Sequence, residues 1–197
     1  MWSDEIVVDI KSYSMHHIDV VVHTNNGCYW RCTGVYGHPE GDQKHHTWKL
    51  LRRLKGLSSL MWLYFEDFNE ILHLSEKTGK ERCVSAVNDF REAIRFCGLS
   101  DLGCKGYPFT WSNRRFRAHL VEERLDIFLS CENWRRAFQD TSATTLLTWT
   151  LDHNLIMIED VEKTIGSKYS RRHFTRIHYE DMWSSYERSE VQRDCEE

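Results

Sequence analysis

A six-residue apolar run between two amphipathic patterns constrains the fold of this chain more than any other feature. The run is LMWLYF at residues 60–65, far shorter than the roughly 18 residues of a membrane-spanning segment. Residues 45–57 before it and 85–97 after it carry apolar side chains at helical spacing, and Gly98 follows the second as a stop signal. A short apolar segment between helices is typical of a buried central strand. The chain is therefore predicted to be an α/β protein.

Strand-like segments occur on both sides of this centre. Residues 5–10, 17–23 and 28–37 predict an antiparallel meander, with a turn before the third strand. Residues 132–138 predict a short helix. Four later segments are predicted as strands, the first two as the arms of one hairpin: 110–112, 124–130, 144–150 and 154–159. The architecture expected is a mixed two-sheet α/β sandwich with outer helices.

Composition limits the organisation and the partners of the chain. Its 197 residues suffice for one domain, expected at 1–160, followed by a charged helical tail at 161–197. The 26 Lys+Arg and 30 Asp+Glu residues give a net charge of −4, so a polyanion would need a local patch. Seven scattered cysteines without a CxxC motif indicate a reduced, intracellular and soluble protein. Cys28 and Cys32 fit ordinary core thiols better than a metal pair.

Two polar segments carry residue types that are used for hydrolysis. Asp67 and Asn69 follow the predicted central strand at alternate positions, where a carboxylate and a carboxamide can activate and orient water. The alternative is a solvated acidic turn. Asp152 and His153 lie between two predicted strands, where such a pair can bind a metal and stabilise a phosphoryl oxygen. The alternative is a turn with an exposed histidine, and each segment by itself favours the simpler interpretation.

Two further segments have chemistry that complements these pairs. Asp126 opens a predicted strand and can orient His153 through its second ring nitrogen, or else form a salt bridge at the strand end. Residues 109–117 combine aromatic side chains with three arginines, which suits phosphate contacts and base stacking in a nucleic-acid groove. The alternative is a buried Trp111 beside a solvated basic hairpin.

In order along the chain, these segments resemble the endonuclease/exonuclease/phosphatase superfamily. They are most similar to the endonuclease-like domain that precedes reverse transcriptase in plant non-LTR (LINE-type) retroelements. The resemblance covers about residues 2–159 and rests on an ordered series of motifs. These are HID at 17–19, WRCTGVYG at 30–37, DFNEIL at 67–72, SEK at 75–77, FR at 90–91, CGLSDLG at 97–103, FTWSN at 109–113, ERLD at 123–126 and DH at 152–153.

The resemblance implies metal-assisted hydrolysis of a phosphodiester and assigns catalytic roles to matching positions. Tyr36 would touch the scissile phosphate. Asp67 would activate the attacking water, and Asn69 would orient it. Asp126 would orient His153, which would stabilise charge on the phosphoryl group.

The resemblance also implies a cofactor and a substrate face. Asp152 would help to hold a catalytic Mg²⁺ ion. Trp111 would line the substrate face, and Asn113, Arg114 and Arg115 are predicted to bind the substrate, with DNA as the expected partner. A nuclear location follows from the retroelement resemblance alone.

The sequence departs from the family pattern at several positions. Relatives begin with a strand bearing Asn and a second bearing the metal-binding Glu; this sequence starts after both, so a partial sandwich and weak Mg²⁺ binding are expected. Glu66 replaces a family glycine, Leu151 a serine, and Asn154-Leu155 a Cys-Pro pair. Two functions are therefore carried forward. One is a Mg²⁺-dependent endonuclease-like phosphodiesterase, and the other is an inactive, truncated remnant that at most binds nucleic acid or protein.

Overall fold

The computed structural model describes residues 6–24, 27–65 and 67–160, which form an α/β arrangement of three sheets and three α-helices. In chain order the elements are β1 (Ile6–Ser14), β2 (His17–Thr24), β3 (Tyr29–Val35), α1 (Lys44–Lys55), β4 (Trp62–Phe65), α2 (Val84–Cys97), β5 (Leu99–Asp101), β6 (Lys105–Gly106), β7 (Trp111–Ser112), β8 (Glu122–Glu123), β9 (Leu129–Cys131), α3 (Glu132–Ala137), β10 (Thr141–Leu146) and β11 (Leu155–Asp160).

The largest sheet has six strands in the order β1-β2-β3-β4-β9-β5. Strands β1, β2 and β3 form an antiparallel meander, as predicted, and β4 pairs in parallel with β3. The apolar run at residues 60–65 thus supplies a central strand, because β4 also pairs with β9 on its other side. The residues that follow β4 therefore leave from the middle of the sheet.

Helices α1 and α2 cover one face of this sheet. Leu51 and Leu54 from α1 and Phe90 from α2 pack with Trp62 and Tyr64 from β4 in one buried cluster. Burial of each such side chain contributes about 1.5–3 kcal/mol relative to exposure. The two helices predicted from apolar spacing are confirmed on the outer layer of the fold.

The opposite face of the sheet forms the interior of a sandwich. Leu63 of β4 and Phe128 pack with Trp134 of α3 and Ala143 of β10, and side chains of β11 complete the cluster. Strands β11, β10 and β6 form a separate three-stranded sheet in that order. The predicted α/β sandwich with outer helices is confirmed in the described residues.

The predicted hairpin of residues 110–112 and 124–130 is wrong. Trp111 of β7 pairs with Glu123 of β8 in a small sheet, whereas the later segment joins the six-stranded sheet through β9. The hydroxyl of Thr110 accepts hydrogen bonds from the backbone N–H groups of the two residues after Arg124. These bonds replace ladder pairing at that point, so the chain changes sheet there.

The strand predicted at 144–150 is displaced toward the N-terminus. Strand β10 spans Thr141–Leu146 and pairs with β11 from Thr141↔Asp160 to Leu146↔Leu155. Residues 147–150 belong to the connection between these strands, which also carries Asp152 and His153. The predicted Asp-His pair therefore lies in a loop between two paired strands.

Two predictions fall on residues that the structure does not describe. The charged tail at 161–197 and the replacement of a family glycine by Glu66 lie outside the described residues. Among the residues that are described, no helix has the length and apolar character needed to cross a membrane.

Candidate active site

Side chains from three different segments meet beyond the end of β4. His153 Nδ1 lies 2.9 Å from Asp126 Oδ2, and His153 Nε2 lies 3.9 Å from Asp67 Oδ2. The backbones of Asp67 and Asp126 also form an isolated antiparallel bridge. Each carboxylate side chain is 12% exposed, and the imidazole is 34% exposed. One imidazole thus lies between two largely buried carboxylates.

This arrangement raises the pKa of both Asp67 and His153. Burial, with the charge of Asp126, raises the pKa of Asp67 from 3.8 to about 6, against the opposing effects of the Asn69 N–H and of His153. Burial would lower the pKa of His153. The hydrogen bond and charge of Asp126, with the charges of Asp67 and Asp152, outweigh burial and raise that pKa to about 9. Between these two values a carboxylate and an imidazolium coexist.

The loop after β4 is held close to the end of β3. The Gly37 N–H donates to the Asp67 carbonyl at 2.7 Å, and a Cβ at Gly37 would lie only 2.3 Å from the Phe68 carbonyl oxygen. Asn69 Nδ2 donates back to the Gly37 carbonyl at 2.7 Å. Glycine at position 37 is therefore required for this approach, because any side chain there would meet backbone.

Buried charges fix the conformation of Asn69. This residue has a left-handed φ of 52°, and its N–H donates to Asp67 Oδ1 at 2.7 Å. Its carbonyl accepts hydrogen bonds from Lys44 Nζ at 2.6 Å and Arg82 Nη1 at 3.1 Å. Both cations also pair with the fully buried Glu70, Lys44 at 2.8 Å and Arg82 at 3.5 Å. The ion pairs thus position the residue that the family pattern assigns to water orientation.

Tyr36 lies at the end of β3, on the same side as Asp67 and Asn69. Burial and the charge of Asp67 raise the pKa of its phenol, and a hydrogen bond with the Asn69 side chain partly offsets this rise. The residue is 42% exposed. Tyr36 is therefore a partly exposed residue whose phenol interacts with Asp67 and Asn69.

Asp152 is attached to the site through Trp111. Trp111 Nε1 donates to Asp152 Oδ2 at 3.3 Å, and the Ser112 N–H donates to the Asp152 carbonyl at 3.0 Å. Trp111 also forms an isolated bridge with His153 and packs against a small buried cluster at Leu125. The half-buried indole ring thus contacts both Asp152 and the core.

The structure resembles solved structures although the sequence has no close match. No protein-family model and no curated protein matches the chain. The fold is similar to that of the endonuclease domain of TRAS1, a telomere-specific non-LTR retrotransposon. The TM-score is 0.61 at 13% identity, over 80% of this chain and 70% of that chain.

The fold is similar to that of a nuclease domain. At this identity the similarity establishes the architecture, and the chemistry rests on the residues of the site itself. Those residues lie after β4, before β9 and between β10 and β11. They are therefore carried by loops on a sandwich scaffold, as binding and catalytic residues commonly are.

The predicted substrate-binding residues lie on the loop between β7 and β8. Asn113 holds this loop together, because its Oδ1 accepts the Arg115 N–H at 3.1 Å and its Nδ2 donates within the same loop. Arg114 Nη1 donates to the carbonyl of Trp149 at 2.8 Å. Phe116 and Trp149 are 90% and 86% exposed. The structure thus gives Asn113 and Arg114 contacts inside the protein and leaves aromatic faces in solvent.

No ready-made Mg²⁺ site is evident among the described residues. Residues 6–24, 27–65 and 67–160 hold no group of three or more His, Cys, Asp or Glu side chains placed to bind a metal. Asp152 accepts a hydrogen bond from Trp111, and both Asp67 and Asp126 face His153. Mg²⁺ requires near-octahedral oxygen ligands, so the role of Asp152 as a metal ligand stays a prediction.

Thr110 is a positioning residue that the sequence analysis missed. Its buried hydroxyl accepts hydrogen bonds from the N–H groups of Leu125 and Asp126, both at 2.9 Å. Its carbonyl accepts the Asn154 N–H at 2.6 Å. Thr110 therefore joins the segment carrying Asp126 to the segment carrying His153. Its place next to Trp111 in the FTWSN motif was the available signal.

Proposed function

We propose that this chain is an endonuclease-like phosphodiesterase domain of the non-LTR retroelement kind, with DNA as its substrate. The observation that carries the proposal is the Asp67–His153–Asp126 arrangement, in which the pKa of the carboxyl is about 6 and that of the imidazole about 9. The similarity to a retrotransposon endonuclease domain supports the same conclusion. Perturbed pairs of this kind, in a solvent-accessible site, are typical of hydrolytic centres.

In this proposal Asp67 is the general base. A group with a pKa near 6 is ionised at neutral pH and still accepts a proton effectively in the transition state. The water oxygen forms the new bond to phosphorus and one of its protons passes to Asp67 Oδ2. The bond from phosphorus to the leaving oxygen breaks with its electron pair, and that oxygen takes up a proton from solvent. Asn69 and Tyr36, which lie beside Asp67, orient the water and the phosphate.

His153 supplies positive charge next to Asp67, where it can contact a phosphoryl oxygen. Asp126 occupies Nδ1, so Nε2–H is the donor that remains for a phosphoryl oxygen. A fixed cation at this position stabilises the charge that develops in the transition state without reorganisation of solvent. Asp126 therefore acts through His153: it fixes the orientation of the imidazole and keeps it protonated.

Mg²⁺ belongs to the proposal only as a weakly bound ion at Asp152. Calorimetric titration of the protein with Mg²⁺ in the absence of DNA is expected to show binding weaker than micromolar. Mg²⁺ is normally held by one or two carboxylates together with water and phosphate, and in this proposal Asp152 is the single carboxylate ligand and no phosphate is present. Micromolar affinity that Asp152→Ala abolishes would contradict this part of the proposal.

Nicking of a supercoiled plasmid tests the proposed activity. Nicking is measured near neutral pH with Mg²⁺ or with a chelator. Asp67→Asn and His153→Gln are each expected to lower the nicking rate by about 100-fold or more. Asp89→Asn, at an exposed position on α2, is the matched control and is expected to leave the rate unchanged. Wild-type protein that binds DNA but never nicks it would refute the enzyme and favour the inactive remnant.

A further inference from the structure

Four histidines form a continuous row on the surface, which we call the histidine row: His16, His38, His46 and His45. The ring centroids of His16 and His38 are 3.9 Å apart, those of His38 and His46 are 5.8 Å apart, and those of His46 and His45 are 3.9 Å apart. The rings come from the β1–β2 turn, the segment after β3 and the first turn of α1. Three separate elements thus bring four imidazoles into contact.

The histidine row begins beside the candidate active site. His16 Nδ1 lies 3.2 Å from the carbonyl oxygen of Tyr36, and the two rings are parallel at 6.3 Å. The next residue, Gly37, donates its N–H to Asp67. A strand whose scissile phosphate lies at Tyr36 and Asp67 would therefore leave the site along His16 and His38.

The titratable groups that face His38 and His46 are the other imidazoles of the row, Lys49 and Glu40. Burial and the neighbouring His16, His46 and His45 lower the pKa of His38, and Glu40 is the carboxylate that opposes them. Burial, His45 and Lys49 lower the pKa of His46. The lowered pKa values of His38 and His46 favour their neutral forms near pH 7, and protonation of the row would bring like charges together.

The end of the histidine row on α1 is open to solvent, so an anion can reach His45 and His46. His45 Nδ1 contacts the Asp42 carbonyl at 2.7 Å, and its side chain and that of His46 are exposed on α1. Lys44 in the same turn is buried and paired with Glu70. His17, next to His16, has its pKa lowered by burial and contacts two serines. The first turn of α1 contains no acidic residue.

We propose that the histidine row binds the phosphodiester backbone of the nucleic-acid strand that leaves the candidate active site, and that this contact strengthens as the pH falls. The inference rests on the proposed function in that the ligand is the substrate of the same site. A phosphate beside two imidazolium rings offsets their mutual repulsion. Binding therefore takes up protons, and proton binding and nucleic-acid binding favour each other.

The salt dependence of DNA binding measures these contacts directly. Each phosphate neutralised on duplex DNA adds about 0.9 to the slope of log K against log salt. We expect this slope to be steeper by about 1–2 at about pH 6 than at about pH 7.5, because histidine side chains gain positive charge as the pH falls.

The experiment uses fluorescence anisotropy with a short labelled DNA duplex and a chelator present. The protein carries Asp67→Asn, which prevents cleavage and removes the titration of that carboxyl. His45→Gln with His46→Gln, both at exposed positions, is expected to remove most of the pH dependence of the slope. His16→Gln with His38→Gln is the second variant and tests the other half of the row. Circular dichroism checks that each variant is folded.

His23→Gln is the matched control, since His23 lies at the far end of β2 from the row and pairs with Asp9. It is expected to keep the full pH dependence. The inference would be overturned if the protein with all four histidines of the row had the same salt-dependence slope at both pH values. It would also be overturned if both double variants kept the full pH dependence. Row-dependent binding to phosphatidylserine vesicles without binding to DNA would overturn it too. Absence of nicking by wild-type protein would instead refute the proposed function, because binding is measured in a protein that does not cleave.

Discussion

Replacement of Asp126 by asparagine is expected to lower the pKa of His153 while preserving the shape of the site. Asp126 Oδ2 lies 2.9 Å from His153 Nδ1, and an asparagine oxygen in the same place still accepts that hydrogen bond. The substitution therefore removes charge and little else. Because burial lowers the pKa of His153, the loss of the main opposing charge is expected to lower that pKa toward its ordinary value.

The structure sets the size of this effect. A pKa of about 9 against an ordinary 6.5 corresponds to roughly 3 kcal/mol at 1.36 kcal/mol per pKa unit. The imidazole is 34% exposed, and solvent screening reduces this to about 1–2 kcal/mol. Asp126 contributes most of it, followed by Asp67 and then Asp152. We expect Asp126→Asn to lower the pKa by about one unit, Asp67→Asn by less, and Asp152→Asn by least.

Proton–carbon NMR of the imidazole C–H groups across a pH titration measures this pKa. The chain has 11 histidines, and His153→Gln identifies the resonance that belongs to His153. Asp152→Asn is the matched control, because it removes one carboxylate close to the same ring. An unchanged pKa in Asp126→Asn, or a larger change in Asp152→Asn, would refute the assignment of Asp126 as the residue that keeps His153 protonated.

The remaining predictions concern the free energy of unfolding, measured by chemical denaturation. Gly37→Ala is expected to lower the free energy of unfolding by more than about 2 kcal/mol, because the new Cβ would lie 2.3 Å from a backbone atom. Gly41→Ala is the control and should be nearly neutral, because a Cβ there meets open space. Equal costs would contradict the close approach at Gly37. Thr110→Val leaves two backbone N–H groups without their acceptor and should cost about 1–3 kcal/mol. Thr110→Ser keeps a hydroxyl and should cost far less. A neutral valine variant would count against Thr110 as the acceptor for these groups. Stability is expected to fall as the pH rises from 3.8 to about 6 through Asp67, and again from 6.5 to about 9 through His153. In both windows the folded state binds more protons than the unfolded state, because both folded pKa values are raised; identical pH profiles for the wild type and for Asp67→Asn or His153→Gln would refute this.

Local sequence patterns were sufficient to predict the elements in which buried side chains follow a regular spacing or a continuous run. Helix α2 has apolar side chains at helical spacing and ends at Gly98, which adopts the left-handed φ of 66° that a helix C-terminus favours. Strand β4 is a continuous apolar run because both of its faces are covered. In these cases the pattern of apolar residues in the sequence matches the pattern of buried side chains in the structure.

Strand pairing between short segments could not be predicted in this way. Strands β7 and β8 have two residues each, so their pairing depends on contacts that are distant in sequence. The Thr110 hydroxyl contacts N–H groups 15 and 16 residues away. A threonine before a tryptophan suggests a strand, and nothing local reveals that its side chain redirects another segment.

The candidate site was predicted from ordered motifs, and its buried supports were not. Spacing alone favoured an acidic turn at Asp67 and an exposed turn at His153, and only the series of motifs placed the two in one site. Lys44 begins an amphipathic helix and looks like a solvated residue in the sequence, yet it pairs with the fully buried Glu70. Long-range partners of this kind are determined by the tertiary fold.

Several independent contacts that involve the backbone hold the loops of the candidate site in place. A left-handed, non-glycine residue such as Asn69 carries about 1–3 kcal/mol of strain, which persists only where the surroundings enforce it. Here a carboxylate accepts its N–H and two cations share its carbonyl. Gly37 fixes the backbone of Asp67, and Thr110 links the backbone of Asp126 to the loop of His153. The relative positions of the two carboxylates and the imidazole therefore follow from contacts within the described residues, and the reaction that we propose requires such preorganisation.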